Sequence, residues 1–352
     1  MNHFFLNPQI KTVLAIETSC DDTSVSVVNS HGKVFSLCSA TQDLDHEIYG
    51  GIVPEIASRN HTQAILPLIT EALKHANMNW DQIDGIAVTN RPGLIGALVV
   101  GISTAKSLAF ALKKPLIGVN HLEGHLLAPF LDTHEKSLQL CFPYVALAVS
   151  GGHTTLYDVQ SFNQYHVLGT TRDDAAGEAF DKFAKLVGLG FPGGVRVDQN
   201  AASGNTSAYA FPRSMLNEDH LEMSFSGLKS AAHRLISAMS EEDIKTNIHD
   251  LCASFQQSVV DVLISKLKTA QKQTGYRQVI ITGGVSANSA LRKQATEWAM
   301  RNKLDLFIPP LKYCTDNASM IGLTGAWHFM DGRSNLMDLA PSPQSLESDF
   351  IR

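Results

Sequence analysis

Two histidines four residues apart are the clearest candidates for chemistry in the sequence. They are His121 and His125, in the segment HLEGH. If this segment is helical, the two side chains lie on one face and can reach the same metal ion. Glu123 then lies elsewhere, unlike the glutamate of the zinc-protease pattern HExxH. The alternative is a surface helix in a chain that contains fourteen histidines.

A metal ion held by two imidazoles needs a third ligand from a distant part of the chain. Asp316, in the segment CTDNASMIG, is a candidate because a carboxylate oxygen commonly joins two imidazoles. Its alternative role is a helix cap, which Asn317 or Ser319 could also provide. The spacing alone leaves both roles open.

Two glycine-containing turns could bind an anion through backbone N–H groups. The glycines of the SGG segment at 150–152 would let phosphate oxygens approach the chain, although a tight hairpin explains this segment more simply. Gly283 and Gly284 precede a helical pattern, whose N-terminus adds a positive field. Neither turn is a Walker loop or a GxGxxG motif, so a different nucleotide-binding fold is indicated.

A cluster of carboxylates follows the SGG segment along the chain. Asp173, Asp174, Glu178, Asp181 and, beyond a Pro-Gly-Gly turn, Asp198 could hold ribose hydroxyls or another polar substrate. The alternative is a capped helix start, with Asp173 or Asp174 as the cap and Glu178 in the first turn. The spacing favours neither interpretation.

The elements that must position these groups alternate between strands and helices, which indicates an α/β protein. Apolar strands flank a polar turn within 12–28, and the same arrangement recurs within 144–159. The repeat predicts two lobes built on one plan. A third strand and turn, 279–288, leads into a helical pattern. Further helices are predicted at 62–75, interrupted by Pro67, at 178–189 and at 248–273.

The composition is that of a globular protein, with 44% hydrophobic and 18% charged residues. The five cysteines are scattered and form no CxxC pair, which favours a reducing cytosol over a disulfide or zinc-knuckle scaffold. The first residues predict no signal peptide. The apolar stretch 92–112 contains Ser103, Thr104 and Lys106, so it predicts a buried, closely packed helix rather than a membrane span.

The formal net charge of −6 bears on the partners of the chain. A protein that bound nucleic acid unaided would usually be basic, so a nucleic-acid partner requires a local patch or a second protein. Candidates for such a patch, with a solvated helix face as the alternative, are Lys266, Lys268, Lys272, Arg277, Arg292 and Lys293.

Eight segments in order resemble one family, the tRNA threonylcarbamoyladenosine transferases of the bacterial TsaD type, formerly described as O-sialoglycoprotein endopeptidases. Together they cover the chain from about Leu14 to Gly322, and the set is highly specific. The segments are IETSCDDTS (16–24), GGIVPEIASRNH (50–61), NHLEGHLLAPF (120–130), VSGGHT (149–154), DDAAGEAFDKFAKLVGLGFPGG (173–194), MSFSGLK (223–229), TGGVSAN (282–288) and CTDNASMIG (314–322).

The resemblance implies a fold class, a two-lobed α/β fold shared with actin, chaperone ATPases and sugar kinases, with a nucleotide cleft between the lobes. It places lobe I at 10–135 plus about 315–345 and lobe II at 136–314. The Pro- and Cys-containing stretch 129–143 is itself the predicted crossing between the lobes. The resemblance implies transfer of a threonylcarbamoyl group from threonylcarbamoyl-AMP to the exocyclic amine of the adenosine beside certain tRNA anticodons.

The resemblance also implies roles for individual residues. One divalent metal ion, Fe(II) by preference or Zn(II), is held by His121, His125 and Asp316. Asp21 and His153 are candidates for proton handling or orientation. The acyl-phosphate end of the substrate is contacted by Ala148, Val149, Ser150, Gly151 and Gly152. The nucleoside side is contacted by Asp181, Gly194, Asp198 and Asn288.

Three positions depart from the family pattern. Asp22 stands where glutamate is usual, and its shorter reach puts the role of that carboxylate in question. Arg91 replaces a glycine and predicts either a tRNA or partner contact or a solvated side chain. Val195 replaces a proline.

The implied partners are tRNA and, in bacteria, two companion proteins: a shorter TsaB-like paralogue and a TsaE-like ATPase. A homodimer is the arrangement of the mitochondrial type. We expect a cytoplasmic location and no membrane. The competing interpretations are a small-molecule kinase on the same fold, a metallopeptidase and a non-catalytic scaffold.

Overall fold

The structure is a computed structural model that describes residues 11–49, 51–132, 140–216, 218–345 and 349–350. The strands are β1 (Thr12–Glu17), β2 (Thr23–Asn29), β3 (Val34–Ala40), β4 (Gly85–Arg91), β5 (Leu116–Asn120), β6 (Tyr144–Val149), β7 (Thr154–Ser161), β8 (Gln164–Thr170), β9 (Gln278–Thr282) and β10 (Asp305–Phe307). The helices are α1 (Asp43–Glu47), α2 (Pro54–Ala76), α3 (Ile95–Leu112), α4 (His121–Leu127), α5 (Ala176–Leu186), α6 (Gly193–Ala201), α7 (Ser226–Ser237), α8 (Glu241–Thr246), α9 (Ile248–Thr274), α10 (Ser289–Asn302) and α11 (Ala318–Met330).

Two five-stranded sheets have the same strand order, and each lies in its own compact unit of the chain. The sheets run β3-β2-β1-β4-β5 and β8-β7-β6-β9-β10. In both, the first three strands are antiparallel and the last two join the central strand in parallel. The repeated hairpin predicted from the sequence is therefore confirmed.

The unit boundaries follow from contacts along the chain. The first unit comprises Met1–Leu140 and Thr315–Asp349, and the second comprises Cys141–Cys314 and Phe350–Arg352. Within the predicted crossing at 129–143, residues 133–139 lie outside the described residues.

The central strand of each sheet is buried along its length, as parallel neighbours and covering helices require. β1 reads TVLAIE and β6 reads YVALAV, and their apolar side chains belong to the two separate hydrophobic cores. The carboxyl ends of β1, β4 and β5 lie at one edge of the first sheet. They carry Glu17, Thr89 and Asn120 to that edge, where α/β folds commonly place their functional groups.

The sequence prediction for α2 was wrong at Pro67. The helix runs unbroken from Pro54 to Ala76, with Pro67 exposed inside it. Buried residues on both sides, among them Ile65 and Leu68, pack against the core and hold the helix together. Tertiary packing therefore overrides the local preference of proline to end a helix.

The prediction of a buried, closely packed helix in 92–112 holds for one face of the helix. Among the described residues, α3 is the one helix long and apolar enough to cross a membrane by length and composition, and 33% of it is buried. Small residues such as Ala97, Gly101 and Ala105 form its packed face. Phe110, on the other face, is 77% exposed. The small residues thus allow α3 to pack closely along one side, while the opposite side is exposed.

Candidate metal centre and substrate-binding turns

His121 and His125 lie on α4, a short helix that begins directly after β5. Asn120 ends β5 and caps the helix, because its side-chain oxygen accepts a hydrogen bond from the Leu122 N–H at 2.8 Å. The helix is buried, and His121 and His125 are only 5% and 1% exposed. The predicted helical spacing is confirmed, and the surface-helix alternative is wrong.

Asp316 approaches both histidines from the segment before α11. Its Oδ1 lies 3.2 Å from Nε2 of His121 and 3.1 Å from Nε2 of His125. The N-terminus of α11 is capped by Asn317, whose side chain accepts from the Met320 N–H at 3.1 Å. The capping role considered for Asp316 is therefore taken by its neighbour.

The three side chains fit a divalent transition-metal ion. Ligand atoms about 2.1 Å from a metal are separated by about 3.0–3.4 Å in octahedral and tetrahedral sites. The two distances to Asp316 fall in this range, and the ligand atoms of all three residues lie within 4.8 Å of one another. Two imidazoles with one carboxylate are a donor set used for non-haem Fe(II) and for Zn(II). The Asp316 side chain remains 27% exposed, which leaves an approach to the group.

Glu17 is a residue of this centre for which the sequence analysis gave no role. It ends β1, and its Oε2 lies 2.9 Å from Nδ1 of His121. The same carboxylate accepts hydrogen bonds from the Thr89 hydroxyl and the Ser19 N–H, each at 2.5 Å. Such a carboxylate orients a metal-binding imidazole and increases its basicity. The sequence contained one signal for this role, because Glu17 is a carboxylate that directly follows the continuously apolar run of β1.

The charges of the centre are strongly coupled. Burial lowers the pKa of His121, but Asp316 and Glu17 outweigh this effect and raise it well above its ordinary value. Burial would raise the pKa values of the two carboxyls, yet His121 lowers the pKa of Glu17 and holds that of Asp316 well below its usual range. Burial lowers the pKa of His125. Without a metal ion, a proton on His121 therefore balances two carboxylates while His125 is neutral.

Glu123, the middle residue of HLEGH, forms a buried pair with His328. Its Oε2 lies 2.9 Å from Nε2 of His328 on α11. The pair joins α4, which carries two of the candidate ligands, to the helix that follows Asp316. Glu123 is thus engaged in packing two helices together, which removes the support for a protease-like general base.

The polar turn between β1 and β2 contains Cys20, Asp21 and Asp22. Burial and the nearby Asp316 carboxylate raise the pKa of Asp21. Burial, with Asp21 as the next contributor, raises the pKa of Asp22 to about 7. Burial and Asp21 also raise the pKa of the Cys20 thiol well above its ordinary value. This turn therefore gathers acidic groups whose pKa values are all raised by burial and by one another.

In the second unit, the SGG turn lies against the start of α5. The Gly177 N–H donates to the Ser150 carbonyl at 3.2 Å, and a side chain at Gly177 would meet that carbonyl oxygen at 2.5 Å. A Cβ at Gly151 or Gly152 would meet nothing within 4 Å. The Ser150 N–H donates to the His153 carbonyl at 2.8 Å. The two glycines, beside the positive end of a helix, are thus the part of the turn that an anion can approach.

The end of β6 also packs closely against the glycine turn at Gly283 and Gly284. Gly283, with φ of +87°, would place a Cβ 2.4 Å from the Val149 carbonyl oxygen. Only glycine fits this backbone and this approach. Ala148 and Val149 are therefore fixed against the turn that leads into α10.

The residues expected on the nucleoside side lie around two helix starts of the second unit. The Asp181 carboxylate accepts from the Gly193 N–H at 2.8 Å, so it lies beside Gly194 at the start of α6. Asn288 caps α10, and its side chain also donates to Gln256 at 2.7 Å. These contacts hold the polar groups in fixed orientations.

Asp198 connects α6 to the start of α10. Its carboxylate accepts from both the N–H and the hydroxyl of Ser289, the residue after Asn288, at 3.2 and 2.7 Å. The structure thus brings Asp198 close to Asn288, as it brings Asp181 close to Gly194.

The capping role considered for Asp173 concerned the wrong helix. Its carboxylate accepts from the N–H groups of Phe225 and Ser226 at 2.8 and 3.1 Å, at the start of α7. Asp174 instead pairs with Lys182 and Lys229. Asp173 therefore caps a helix about 50 residues later in the sequence, and not the neighbouring helix that the spacing suggested.

The predicted basic patch is wrong for two of its residues. Lys266 is 1% exposed, and its ammonium donates to the carbonyls of Glu218 and His220 at 3.0 and 2.6 Å. Arg292 donates to the carbonyls of Ser286 and Pro309. Both cations are held by backbone oxygens and are unsuited to binding phosphates.

Arg91 pairs with an acidic residue of the same unit, and its side chain is 21% exposed. Its guanidinium forms a bidentate ion pair with the Asp349 carboxylate, with Nε–Oδ2 and Nη2–Oδ1 distances of 2.7 and 2.5 Å. Asp349 also accepts from Asn120, the cap of α4, at 2.8 Å. Arg91, which differs from the family pattern, thus holds Asp349 in contact with the residue that caps α4, the helix that carries both histidines. Val195, the third departure, is exposed on α6.

Comparison with known proteins identifies close relatives. Residues 33–323 match the family model of tRNA N6-adenosine threonylcarbamoyltransferases. A protein of that name from Bdellovibrio bacteriovorus is 60% identical over 343 residues, which cover 97% of this chain and 99% of the relative.

Two solved structures share the fold at low identity. Component A of (R)-2-hydroxyglutaryl-CoA dehydratase from Acidaminococcus fermentans has a TM-score of 0.51 at 14% identity and covers 92% of this chain and 98% of its own. Full-length HypF in a phosphate- and nucleotide-bound form has a TM-score of 0.58 at 13% identity, over 97% of this chain and 58% of its own. The predicted fold class is confirmed.

Proposed function

The chain belongs to the tRNA N6-adenosine threonylcarbamoyltransferase family, and we propose that it modifies the adenosine next to the anticodon in tRNAs that read codons beginning with A. The amine nitrogen of adenine forms a bond to the carbamoyl carbon of threonylcarbamoyl-AMP. The bond from that carbon to the phosphate oxygen breaks, AMP leaves, and the amine loses a proton.

His121, His125 and Asp316 would hold one divalent metal ion. The convergence of two imidazole nitrogens on one carboxylate oxygen is the observation that carries this assignment. Fe(II) is the favoured ion because two histidines and one carboxylate are its usual ligand set in non-haem sites, and Zn(II) is the alternative. A bound ion supplies Lewis acidity toward a carbonyl or phosphate oxygen. Glu17 holds Nδ1 of His121, which leaves Nε2 as the nitrogen that would bind an ion.

The SGG turn is proposed to bind the acyl-phosphate end of the substrate. The N–H groups of Gly151 and Gly152 receive the anionic oxygens, and Ser150 shapes the turn through its bonds with His153. Ala148 and Val149 fix the strand from which the turn emerges. We assign Asp181, Gly194, Asp198 and Asn288 to the nucleoside side.

Proton transfer is assigned to Asp21 and His153. An aromatic amine is a weak nucleophile, so correct placement contributes more than a strong base. Burial and the Asp316 carboxylate raise the pKa of Asp21, which favours a carboxyl that can carry and exchange a proton.

We assign the two compact units to the two lobes predicted from the sequence. Since the substrate is tRNA, we place the protein in the cytoplasm. A TsaB-like paralogue and a TsaE-like ATPase are proposed as companions, with a homodimer as the alternative assembly.

Reconstitution tests the proposal. The protein is incubated with threonylcarbamoyl-AMP and unmodified tRNA, with and without the companions, and the nucleosides are analysed by mass spectrometry. We expect threonylcarbamoyladenosine in the tRNA. A phosphorylated small molecule without modified tRNA would support the kinase interpretation. If the companions modify tRNA equally well when this chain is omitted, the interpretation as a non-catalytic scaffold is supported.

A further inference from the structure

A second group of potential metal ligands lies in the first unit, on elements separate from α4 and α11. It consists of Cys38 on β3 and of Glu71 and His75 on α2, and we call it the β3–α2 cluster. The ligand atoms of the three residues lie within 4.8 Å of one another. Glu71 and His75 are four residues apart, so their side chains share one face of α2, a helix that packs against β3.

One distance in the β3–α2 cluster matches that of a zinc site. Cys38 Sγ lies 3.5 Å from Nδ1 of His75. Glu71 Oε1 contacts Nε2, the opposite nitrogen of the ring, at 3.8 Å, so the Glu71 side chain must turn toward Nδ1 to share an ion with Cys38. With Zn–S and Zn–N bonds of about 2.3 and 2.0 Å, a tetrahedral site separates sulfur from nitrogen by about 3.5 Å. The sulfur and the nitrogen therefore already have the spacing that one ion requires.

We propose that Cys38, Glu71 and His75 form a second metal site that binds Zn(II) or a cation of similar chemistry. One sulfur, one nitrogen and one oxygen donor suit zinc, whereas Mg(II) and Ca(II) prefer oxygen ligands alone. Water completes the coordination, because three protein ligands leave a position of a tetrahedral ion open.

The surroundings of the β3–α2 cluster favour a cation. His75 lies in the last turn of α2, where helix carbonyls carry partial negative charge. Cys38 is buried, while the His75 and Glu71 side chains are 55% and 50% exposed. An ion can therefore enter from solvent and reach an ordered sulfur.

The site would connect the end of α2 to the edge strand β3. The two elements are more than 30 residues apart in sequence, and a shared ion would hold them together by bonds stronger than packing alone. This role is independent of the transferase reaction, which we assign to other residues.

Cobalt substitution distinguishes the two metal sites by their donors. A thiolate bound to Co(II) gives a charge-transfer band in the near ultraviolet, and the set formed by His121, His125 and Asp316 contains no sulfur. Metal-free protein is titrated with Co(II) and its absorption recorded. We expect the band in the wild type, its loss in Cys38→Ser and its loss or strong weakening in His75→Gln.

Three controls make the result specific. Lys74→Gln changes the neighbouring position of the same helix turn, and Cys141→Ser removes an exposed thiol of the second unit, so both should retain the band. Cys20→Ser tests the thiol near Asp316 and should also retain it. A band that is absent from the wild type, or that disappears in Cys20→Ser and persists in Cys38→Ser, overturns the proposal.

Zinc content provides a second measurement. After equilibration with zinc and removal of weakly bound ions, we expect about two zinc ions per wild-type chain and about one in His75→Gln. His75→Gln alters an exposed helix residue, so it avoids the folding defect that a buried Cys38→Ser change could cause. Equal zinc content in His75→Gln, Lys74→Gln and the wild type would show that Cys38 and His75 share only a hydrogen bond.

Discussion

Glu17 and His121 form a buried contact that orients a candidate metal ligand. Glu17 Oε2 lies 2.9 Å from Nδ1, while Nε2 of the same ring lies 3.2 Å from Asp316. The two carboxylates therefore hold opposite nitrogens of one imidazole. Because the Nδ1–H of His121 donates a hydrogen bond to Glu17, Nε2 is the nitrogen that remains available to bind a metal ion.

Replacing Glu17 with glutamine should weaken metal binding at this centre about 10- to 100-fold. The amide keeps the size of the side chain but removes the charge that orients the ring. Affinity can be measured by competition with a chelator of known strength. Glu55→Gln, an exposed change on α2, should bind like the wild type. Wild-type affinity in Glu17→Gln would contradict the assigned role.

Metal binding at neutral pH should release about one proton from His121. Its pKa in the metal-free protein is raised, chiefly by Asp316 and Glu17 against the effect of burial, so the ion must displace a proton. The apparent Kd should increase about tenfold for each pH unit below neutrality. Calorimetry in buffers with different ionisation enthalpies measures the released proton. A binding enthalpy independent of the buffer would argue against this account.

Asp22 should make the metal-free protein less stable as the pH rises from about 4 to 7. Its pKa rises from 3.8 in the unfolded chain to about 7 in the folded one, so between these values the folded state holds a proton that the unfolded state lacks. The free energy of unfolding then falls with pH, by up to about 1.4 kcal/mol per unit. Below about pH 4 both states are protonated, and above about 7 both are ionised.

Urea unfolding across this range, in the presence of a chelator, measures the effect. In Asp22→Asn the decline should become smaller, because the titrating carboxyl is gone. Asp81→Asn, an exposed change in the same unit, should keep it. An unchanged decline in Asp22→Asn would rule out the proposed source of the pH dependence.

The Arg91–Asp349 pair should stabilise the first unit. The Asp349 side chain is 8% exposed, so Arg91→Met leaves a buried carboxylate with less compensation and should cost about 3 kcal/mol. The double variant Arg91→Met/Asp349→Asn removes that charge and should cost clearly less than the sum of the two single changes. Unfolding of all four proteins in denaturant gives the coupling energy. Additive effects would mean that the pair contributes nothing.

The parts of the fold that follow local periodicity could be predicted from the sequence. The apolar runs at β1 and β6 and the four-residue spacing of His121 and His125 each specify an element without reference to distant residues. Pro67 shows the limit of this reasoning, because packing of its neighbours keeps α2 intact.

Contacts between distant residues could not be predicted in this way. Glu17 meets His121 across 104 positions, and Cys38 meets His75 across 37. Lys266 resembled a surface lysine because helical spacing does not reveal the two carbonyls that hold its ammonium. The resemblance to a family supplied Asp316, for which spacing alone offered two roles.

The yield of threonylcarbamoyladenosine in a reconstituted reaction tests the central claim most directly. It is compared between the wild type, His121→Asn/His125→Asn and the exposed control His233→Asn, each shown to be folded by circular dichroism. If the triad holds the ion that the transfer requires, the double variant should lose activity about a hundredfold or more while the control stays active. Product formed by the double variant at the wild-type rate would contradict the account.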